Sequence, residues 1–523
     1  LYFALVSRRD ASVLLIAAAV LMVYANSLEN PFHYDDRHSI VENHHLRDLA
    51  NIPAFFTQPE YFSRDPDKAM YRPLLLVSFA LNHAWGEYDP QTYHIVNILL
   101  HLGCSLLVWG ILRHLVQAPC LSLLGALFFA LHPVASEPVN YISSRSELMA
   151  AAGLLGGLLL YLHAGRRYWL LGVSSLCFAA GLLAKSVALA LPLWILILEW
   201  QRGGLRASWS RLWPYGLIAL GYVGLVWSFV VEAVFAAPVR TWPEQLGTQI
   251  KALIYYAQLL FAPFELSVDH AFVPSALGAP VVWLCALALA SLLLWMGGLF
   301  RVGVLWMGVA LAPTLLVPLN VLVNEHRLYL PLVGLVVALL GMRSLEAVRG
   351  LRWGAPLLLA FLALLTWERN RVWSDEAALW GDAARKNPAS VRPLIYLGNA
   401  AREKGEPQKA LSYYKQVLEL DANHSAARAN LGNAYQDLGH YALSIKTFAQ
   451  LLEDHPEMTD LHYSLGRVLQ VAARGDEARA QYQALPLDSP HRPLADNNLG
   501  TLFEEMGKID SALYYYRRSD DLV

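Results

Sequence analysis

Long apolar runs separated by short polar stretches fill the chain up to about residue 366, and from Trp367 onward charged, amphipathic segments take over. A membrane-crossing helix needs about 20 mostly apolar residues. On that rule the first part predicts about eleven spans. They lie near 11–28, 92–115, 120–133, 147–163, 168–183, 185–200, 211–235, 281–300, 302–318, 329–342 and 353–367. Two segments fit less cleanly. Residues 73–84 are apolar but short, and could lie along the membrane surface or extend the second span; residues 250–264 could re-enter the membrane. The fold class expected is all-α, with a polytopic helix bundle over 1–367 followed by a helical solenoid over 368–523.

Charge refines this picture. One set of alternate loops holds Arg8, Arg9, Arg113, Arg166, Arg167, Arg202, Arg206, Arg211, Arg301, Arg343, Arg349 and Arg352. The other holds Asp35, Asp36, Glu137, Asp269 and Glu325, with fewer basic residues. The positive-inside rule then puts the N-terminus in the cytoplasm and, with an odd number of spans, the C-terminal part on the far side. That side is periplasmic in a bacterium and lumenal in a eukaryotic cell. Low Lys beside abundant Arg and Leu favours a bacterial inner membrane. The run 11–28 lacks a convincing signal-peptidase site and reads as a retained helix.

The composition is 56% hydrophobic and 16% charged, against about 25% charged for an ordinary soluble domain. A net charge of −2 offers no bulk attraction to nucleic acid, which is not expected as a partner. Cys104, Cys120, Cys177 and Cys285 lie in or beside apolar runs. Their spacing matches no zinc or disulfide framework, so they read as core or lipid-facing residues.

The second part is periodic. Leu397-Gly398, Leu431-Gly432, Leu465-Gly466 and Leu499-Gly500 recur at one interval, as do Tyr414, Phe448, Tyr482 and Tyr516, and Ala410, Ser444, Ala478 and Ala512. Gly405, Gly439 and Gly507 mark a turn at which Ala473 stands in the third repeat, and Pro456 and Pro490 close two repeats. This resembles the tetratricopeptide repeat, whose period is 34 residues. The repeats fall near 391–424, 425–458, 459–492 and 493–523, and Trp373–Pro388 reads as a preceding half repeat with Trp380 in the aromatic column. Each repeat has an apolar face that only its neighbour can cover. The resulting concave surface suits a peptide or partner protein; a rigid spacer or dimerisation arm is the plainer alternative.

Polar residues at unexpected depth supply the candidate chemistry. The first loop, 29–72, carries Tyr34-Asp35-Asp36, and Arg72 stands at its end. By itself an Asp–Asp pair is more often a solvated loop charge or a helix cap. His94, Asn97 and His101 share one face of the second span, where polar groups usually face a protein interior or a water cavity. Interhelical hydrogen bonding accounts for Asn97 and His101, and His94 is the one expected to touch substrate. His132, Glu137, Arg145, Lys185, Asp269, Glu325 and Arg327 cluster at helix ends on the acidic side; Lys185 could simply snorkel. Acids and cations gathered at helix ends make a cleft at the membrane surface. No metal site is read from these residues, because the two imidazoles lack a third ligand.

In order and spacing these motifs resemble the transmembrane and tetratricopeptide-repeat-containing O-mannosyltransferases, members of the GT-C class of glycosyltransferases. The likeness runs from Phe32…Asp35-Asp36 through Tyr71-Arg72-Pro73-Leu74, His94…Asn97…His101, His132-Pro133…Arg145…Glu147-Leu148, Leu183-Ala184-Lys185, Leu266-Ser267-Val268-Asp269 and Arg327-Leu328-Tyr329-Leu330-Pro331 into the repeats. Ser186 stands where the family usually has Glu. Glu325-His326-Arg327 stands where it usually has Ala-Glu-Arg.

The resemblance implies an inverting transferase, hence an enzyme, with a polyprenyl- or dolichyl-phosphate-linked sugar as donor and a Ser or Thr hydroxyl as acceptor. A base must take the hydroxyl proton, and Asp35 is the choice, with Asp36 orienting it or the acceptor. Cations must hold the leaving phosphate, and Arg72, Arg145, Lys185 and Arg327 are the candidates. Tyr34, His94, Asn97, His132, Glu137, Asp269 and Glu325 complete the expected cleft. No cofactor is expected, and a divalent metal is not favoured. A non-enzymatic membrane-anchored repeat scaffold, and a transferase acting on lipid or polysaccharide, are the competing readings. A transporter is weaker, because no inverted internal repeat is visible.

Overall fold

The structure, a computed structural model, describes residues 9–65, 68–231, 239–295, 297–318, 320–342 and 351–521. Arg8, Arg343 and Arg349 of the charge pattern lie outside these, as do residues 232–235 of the span expected over 211–235. Among the described residues every regular element is helical. The chain divides into two compact units, one up to Asp375 and one from Glu376.

In the first unit, helices long and apolar enough to cross a membrane occupy Asp10–Ser27, Pro90–Val116, Ile142–Ala164 and Gly298–Leu315. A fifth arises if Pro119–Leu131 and Pro133–Asn140, bent by 50°, are counted together. Tyr168–Ala184, Ser186–Gln201 and Pro280–Leu294 are shorter apolar helices. The remaining expected spans fall on the helices Leu205–Val231, Tyr329–Leu340 and Leu351–Val372. Large apolar side chains stand out from the bundle, among them Leu217, Leu220, Trp283, Leu284, Leu287 and Leu357. An apolar exterior of this kind needs hydrocarbon around it, and the protein is a membrane protein.

Proline at the first turn, where no backbone donor is missed, starts the helices at Pro73, Pro90 and Pro119. Small residues let helices touch backbone to backbone. A Cβ on Gly153 would meet the carbonyl oxygen of Cys177 at 2.7 Å. At the centre Trp194 and Trp306 stack at 4.5 Å, and each indole N–H donates to the other's backbone carbonyl, at 3.0 and 3.1 Å.

Three details differ from the sequence reading or complete it. Residues 73–84 form the helix Pro73–Gly86, which ends at Glu87 with φ 49° and so does not continue into the second span. Its residues Leu75, Leu76 and Phe79 pack with Ile40, Leu46, Phe55 and Phe62 of the first loop. Residues 250–261 of the other segment belong to the continuous helix Trp242–Phe261, which buries Gln245, Thr248 and Gln249. The last helix of the first unit runs past residue 367 to Val372. It does so because polar residues near its end are bound inside the unit. Thr366 donates to Leu131 O at 2.7 Å, Asn370 donates to Val23 O at 2.9 Å, and Arg369 pairs with Glu325 at 3.5 Å.

The second unit is a run of antiparallel helix pairs from Glu376–Lys386 to Ile509–Asp521. Tyr414, Phe448 and Tyr482 are wholly buried, each lying on the glycine of its own Leu-Gly pair. Trp380 is buried and stacks on Tyr396 at 4.1 Å. The turns at Gly405, Gly439 and Gly507 take φ near +70° (73°, 75° and 71°), and Ala473 is held at 59° in the same role.

Candidate active site

The first loop is not a loose connection. A chain of short helical turns from Ala25 to Phe62 closes over the ends of the neighbouring helices. Tyr34 sits at φ 22°, a conformation a bulky residue rarely adopts, with its ring 4.5 Å from that of Tyr141. The chain reverses there, and the two acids after it part company.

Asp36 is fully buried. Its carboxylate accepts from the backbone N–H of His33 at 3.0 Å and that of Ser143 at 2.7 Å, and from the Ser143 hydroxyl. Burial pushes its pKa up to about 6, against the lowering effect of those donors. Asp36 ties the loop to the segment before helix Arg145–Ala164.

Asp35 points the other way, its side chain 61% exposed, into a cavity of about 440 Å³. Its Oδ2 accepts from the Tyr141 hydroxyl at 2.7 Å, and Oδ1 lies 3.4 Å from Nε2 of His38. Arg72, Lys185, His326, Ser143 and Ser146 line the same cavity. Arg72 reaches Ser146 Oγ at 3.4 Å and lies over the Phe62 ring. Lys185 Nζ pairs with Glu147 Oε1 at 2.6 Å. His326 Nδ1 meets Glu137 Oε1 at 2.8 Å, and its Nε2 is 4.0 Å from Glu147 Oε1. Among the described residues no group of three His, Cys, Asp or Glu side chains is arranged to hold a metal ion.

Several expected residues support this cavity without lining it. His94 is buried, donating from Nε2 to Asn30 O at 2.9 Å; it anchors the loop and is not among the residues that line the cavity. Asn97 donates to Val139 O at 3.1 Å and accepts from Arg145 Nε at 2.7 Å. Arg145 is wholly buried, its other nitrogens reaching Tyr93 O and Ser78, its guanidinium over the Phe79 and Tyr93 rings. This is a core arginine, and it is not among the residues that line the cavity. His132 donates to Leu260 O at 3.0 Å.

Glu325 is buried between His270 and Arg369, at 3.4 and 3.5 Å, and accepts from Ser267 N. Asp269 accepts through its backbone carbonyl from Ser267 Oγ at 3.0 Å and does not line the cavity. Arg327 donates to the carbonyls of Val321 and Leu322, at 2.9 and 3.1 Å, and is likewise not among the lining residues.

Tyr141, Ser143 and His326 are among the cavity residues that the sequence did not single out. Tyr141 is braced by Trp373, whose ring stacks at 6.1 Å, and Trp373 O accepts from His33 Nε2 at 2.8 Å. The signal for Tyr141 and Ser143 is their place just before Ser144-Arg145; the signal for His326 is the departure from the family's usual residue.

Two tetratricopeptide-repeat family models match the chain, one at residues 362–427 and 429–493, the other at 401–454. Protein O-mannosyl-transferase Tmtc3 of Drosophila melanogaster is 25% identical over 84% of this chain and 58% of its own length. Human protein O-mannosyl-transferase TMTC4 is 25% identical over 77% of this chain and 65% of its own. The Xenopus laevis protein tmtc2 reaches 34% identity, over 32% of this chain and 20% of its own.

Over most of its length the chain is similar to the TMTC proteins. The alignment to Tmtc3 covers most of the chain, far more than the repeats alone. The chain spans about half the length of the curated relatives it matches, 58% and 53% for the Drosophila and mouse Tmtc3 proteins.

Proposed function

We propose that the cavity at Asp35 is the transfer site of a GT-C-type glycosyltransferase, which moves a sugar from a polyprenyl-phosphate carrier to Ser or Thr hydroxyls of secreted or envelope proteins. The observation that carries this reading is one cavity lined by a carboxylate, Asp35, and by cations that include Arg72 and Lys185. Transfer with inversion needs that pairing. Asp35 takes the proton of the acceptor hydroxyl as its oxygen attacks the anomeric carbon. The bond from that carbon to the phosphate oxygen breaks, and the phosphate leaves with the electron pair, its charge held by Arg72 and Lys185. The relatives' names, protein O-mannosyl-transferases, support mannose as the sugar and protein as the acceptor.

Asp36 sets the turn that aims Asp35, and no resident metal or cofactor belongs to the reading. The repeat unit binds the acceptor protein. The protein sits in a bacterial inner membrane with its N-terminus in the cytoplasm, and the cavity and repeats face the outer side.

Donor binding tests the class of substrate. A ligand that binds only the folded state raises the unfolding temperature with its concentration. The purified chain in detergent is expected to be stabilised by polyprenyl-phosphate mannose, and less so after Lys185→Met or Arg72→Met. Equal stabilisation of all three proteins would remove the cations from the donor site.

A further inference from the structure

One buried acid beside the cavity plays no part in transfer by Asp35. Glu137 is buried, and while its Oε1 meets His326, its Oε2 is buried with no hydrogen-bond partner. A carboxylate with one oxygen left bare in a dry site is costly, whereas the neutral acid tolerates it. A protonated Glu137 donates its proton through Oε1 to Nδ1 of His326. The imidazole then carries its own hydrogen on Nε2, the nitrogen 4.0 Å from Glu147 Oε1, on a side chain that lines the cavity. Glu147 is already engaged by Lys185. The other charges near the ring are the cations Arg72, Lys185 and Arg327, which favour a neutral imidazole while the cavity holds no anion. An anionic phosphate between Arg72 and Lys185 meets a ready N–H donor.

We propose that Glu137 and His326 form a proton relay to the leaving phosphate, with His326 as a catalytic acid and Glu137 as the residue that fixes its tautomer and reloads it. This rests on the donor site proposed above. As the bond from the anomeric carbon to the phosphate oxygen breaks, that oxygen takes the Nε2 proton of His326. His326 takes the Glu137 proton at Nδ1, leaving Glu137 a carboxylate. The acceptor's own proton resides on Asp35. Two exchanges with solvent restore the starting state: Asp35 loses its proton, and Nε2 of His326 gains one as the Nδ1 proton returns to Glu137.

Infrared difference spectroscopy on the full chain in detergent tests the relay, with farnesyl methyl phosphate as probe. This lipid phosphodiester keeps one fixed negative charge near neutral pH. The wild type is expected to show a carboxylic-acid C=O band that shifts when the probe binds. The band is absent from Glu137→Gln, and in His326→Gln it no longer responds. In the transfer reaction both variants lose kcat on the order of 100-fold, with KM within about threefold. His326→Gln keeps the test open if Glu137→Gln fails to fold. A band that survives Glu137→Gln, a bound probe that leaves the band unmoved, or an unchanged kcat overturns the relay and leaves the donor site standing. Failure of the probe to bind removes both.

Discussion

Tyr141 donates its phenolic hydrogen to Oδ2 of Asp35 at 2.7 Å, so the orientation of the exposed acid is set by a residue more than a hundred positions away. The ring behind that hydroxyl is held between Tyr34 and Trp373. Tyr141→Phe keeps the ring and removes the hydrogen bond. A hydrogen bond to a charged group contributes roughly 1.5–3 kcal/mol, so kcat is expected to fall by about 10- to 100-fold, with KM within threefold. Steady-state kinetics of the variant checks this; a change in KM alone would contradict an orienting role.

The two acids are predicted to differ in kind. Asp36 accepts from donors on both oxygens, so Asp36→Asn must set an amide N–H against a backbone N–H. The variant is expected to lose stability as well as activity, whereas Asp35→Asn keeps its melting temperature. Equal stability of the two variants would contradict the buried role of Asp36.

Asp36 also gives a pH signature. Its pKa rises from 3.8 to about 6 on burial, so the folded state holds this proton more tightly than the unfolded chain. Its contribution is complete below pH 3.8 and is lost as pH rises through about 6. The effect is on the order of 3 kcal/mol across that window. Chemical unfolding of wild type and Asp36→Ala between pH 4 and pH 7 is expected to show this fall only in the wild type.

Arg145 is expected to act through the fold. Removing its donors leaves the buried acceptors Asn97 Oδ1 and Tyr93 O unsatisfied, at roughly 1–3 kcal/mol each. Arg145→Met is therefore predicted to unfold at lower temperature, while donor affinity in the fraction that remains folded is unchanged. Thermal unfolding with and without donor separates the two effects; weaker donor binding at unchanged stability would return Arg145 to the phosphate site.

In the repeat unit, a Cβ on Gly432 would meet Cζ of Phe448 at 2.8 Å, and overpacking of this kind costs roughly 1–3 kcal/mol. Ala473, at φ 59°, pays the left-handed penalty of roughly 1–2 kcal/mol that glycine avoids. Gly432→Ala is predicted to destabilise the unit and Ala473→Gly to stabilise it, both measured by unfolding of the full chain.

The repeats were legible in the sequence because a solenoid writes its packing at a fixed interval: Gly398 and Tyr414 are a local pair within one repeat. The helices were legible from apolar runs, and the motif Asp35-Asp36 from its place after the first of them. What each acid does was not legible, because it depends on the turn at Tyr34 and on Ser143 and Tyr141, contributed by a distant segment. Arg145 and His94 misled for a related reason. A charged or polar residue near a helix end reads as a binding group, and only tertiary packing shows that Asn97, Tyr93 and Asn30 already occupy it. His326 stood out only as a departure from a resembled pattern, and its partner Glu137 lies 189 positions away in sequence.

The measurement that bears most directly on the transfer site is a comparison of wild type with Asp35→Asn. Each purified chain receives radiolabelled polyprenyl-phosphate mannose and an envelope-protein extract, and donor binding is followed in parallel. Label is expected in protein with the wild type, none with Asp35→Asn, and equal donor binding by both. Label transferred equally well by Asp35→Asn would contradict the role of Asp35 as base, because the carboxylate that lines the cavity among the described residues would then have no part in the chemistry.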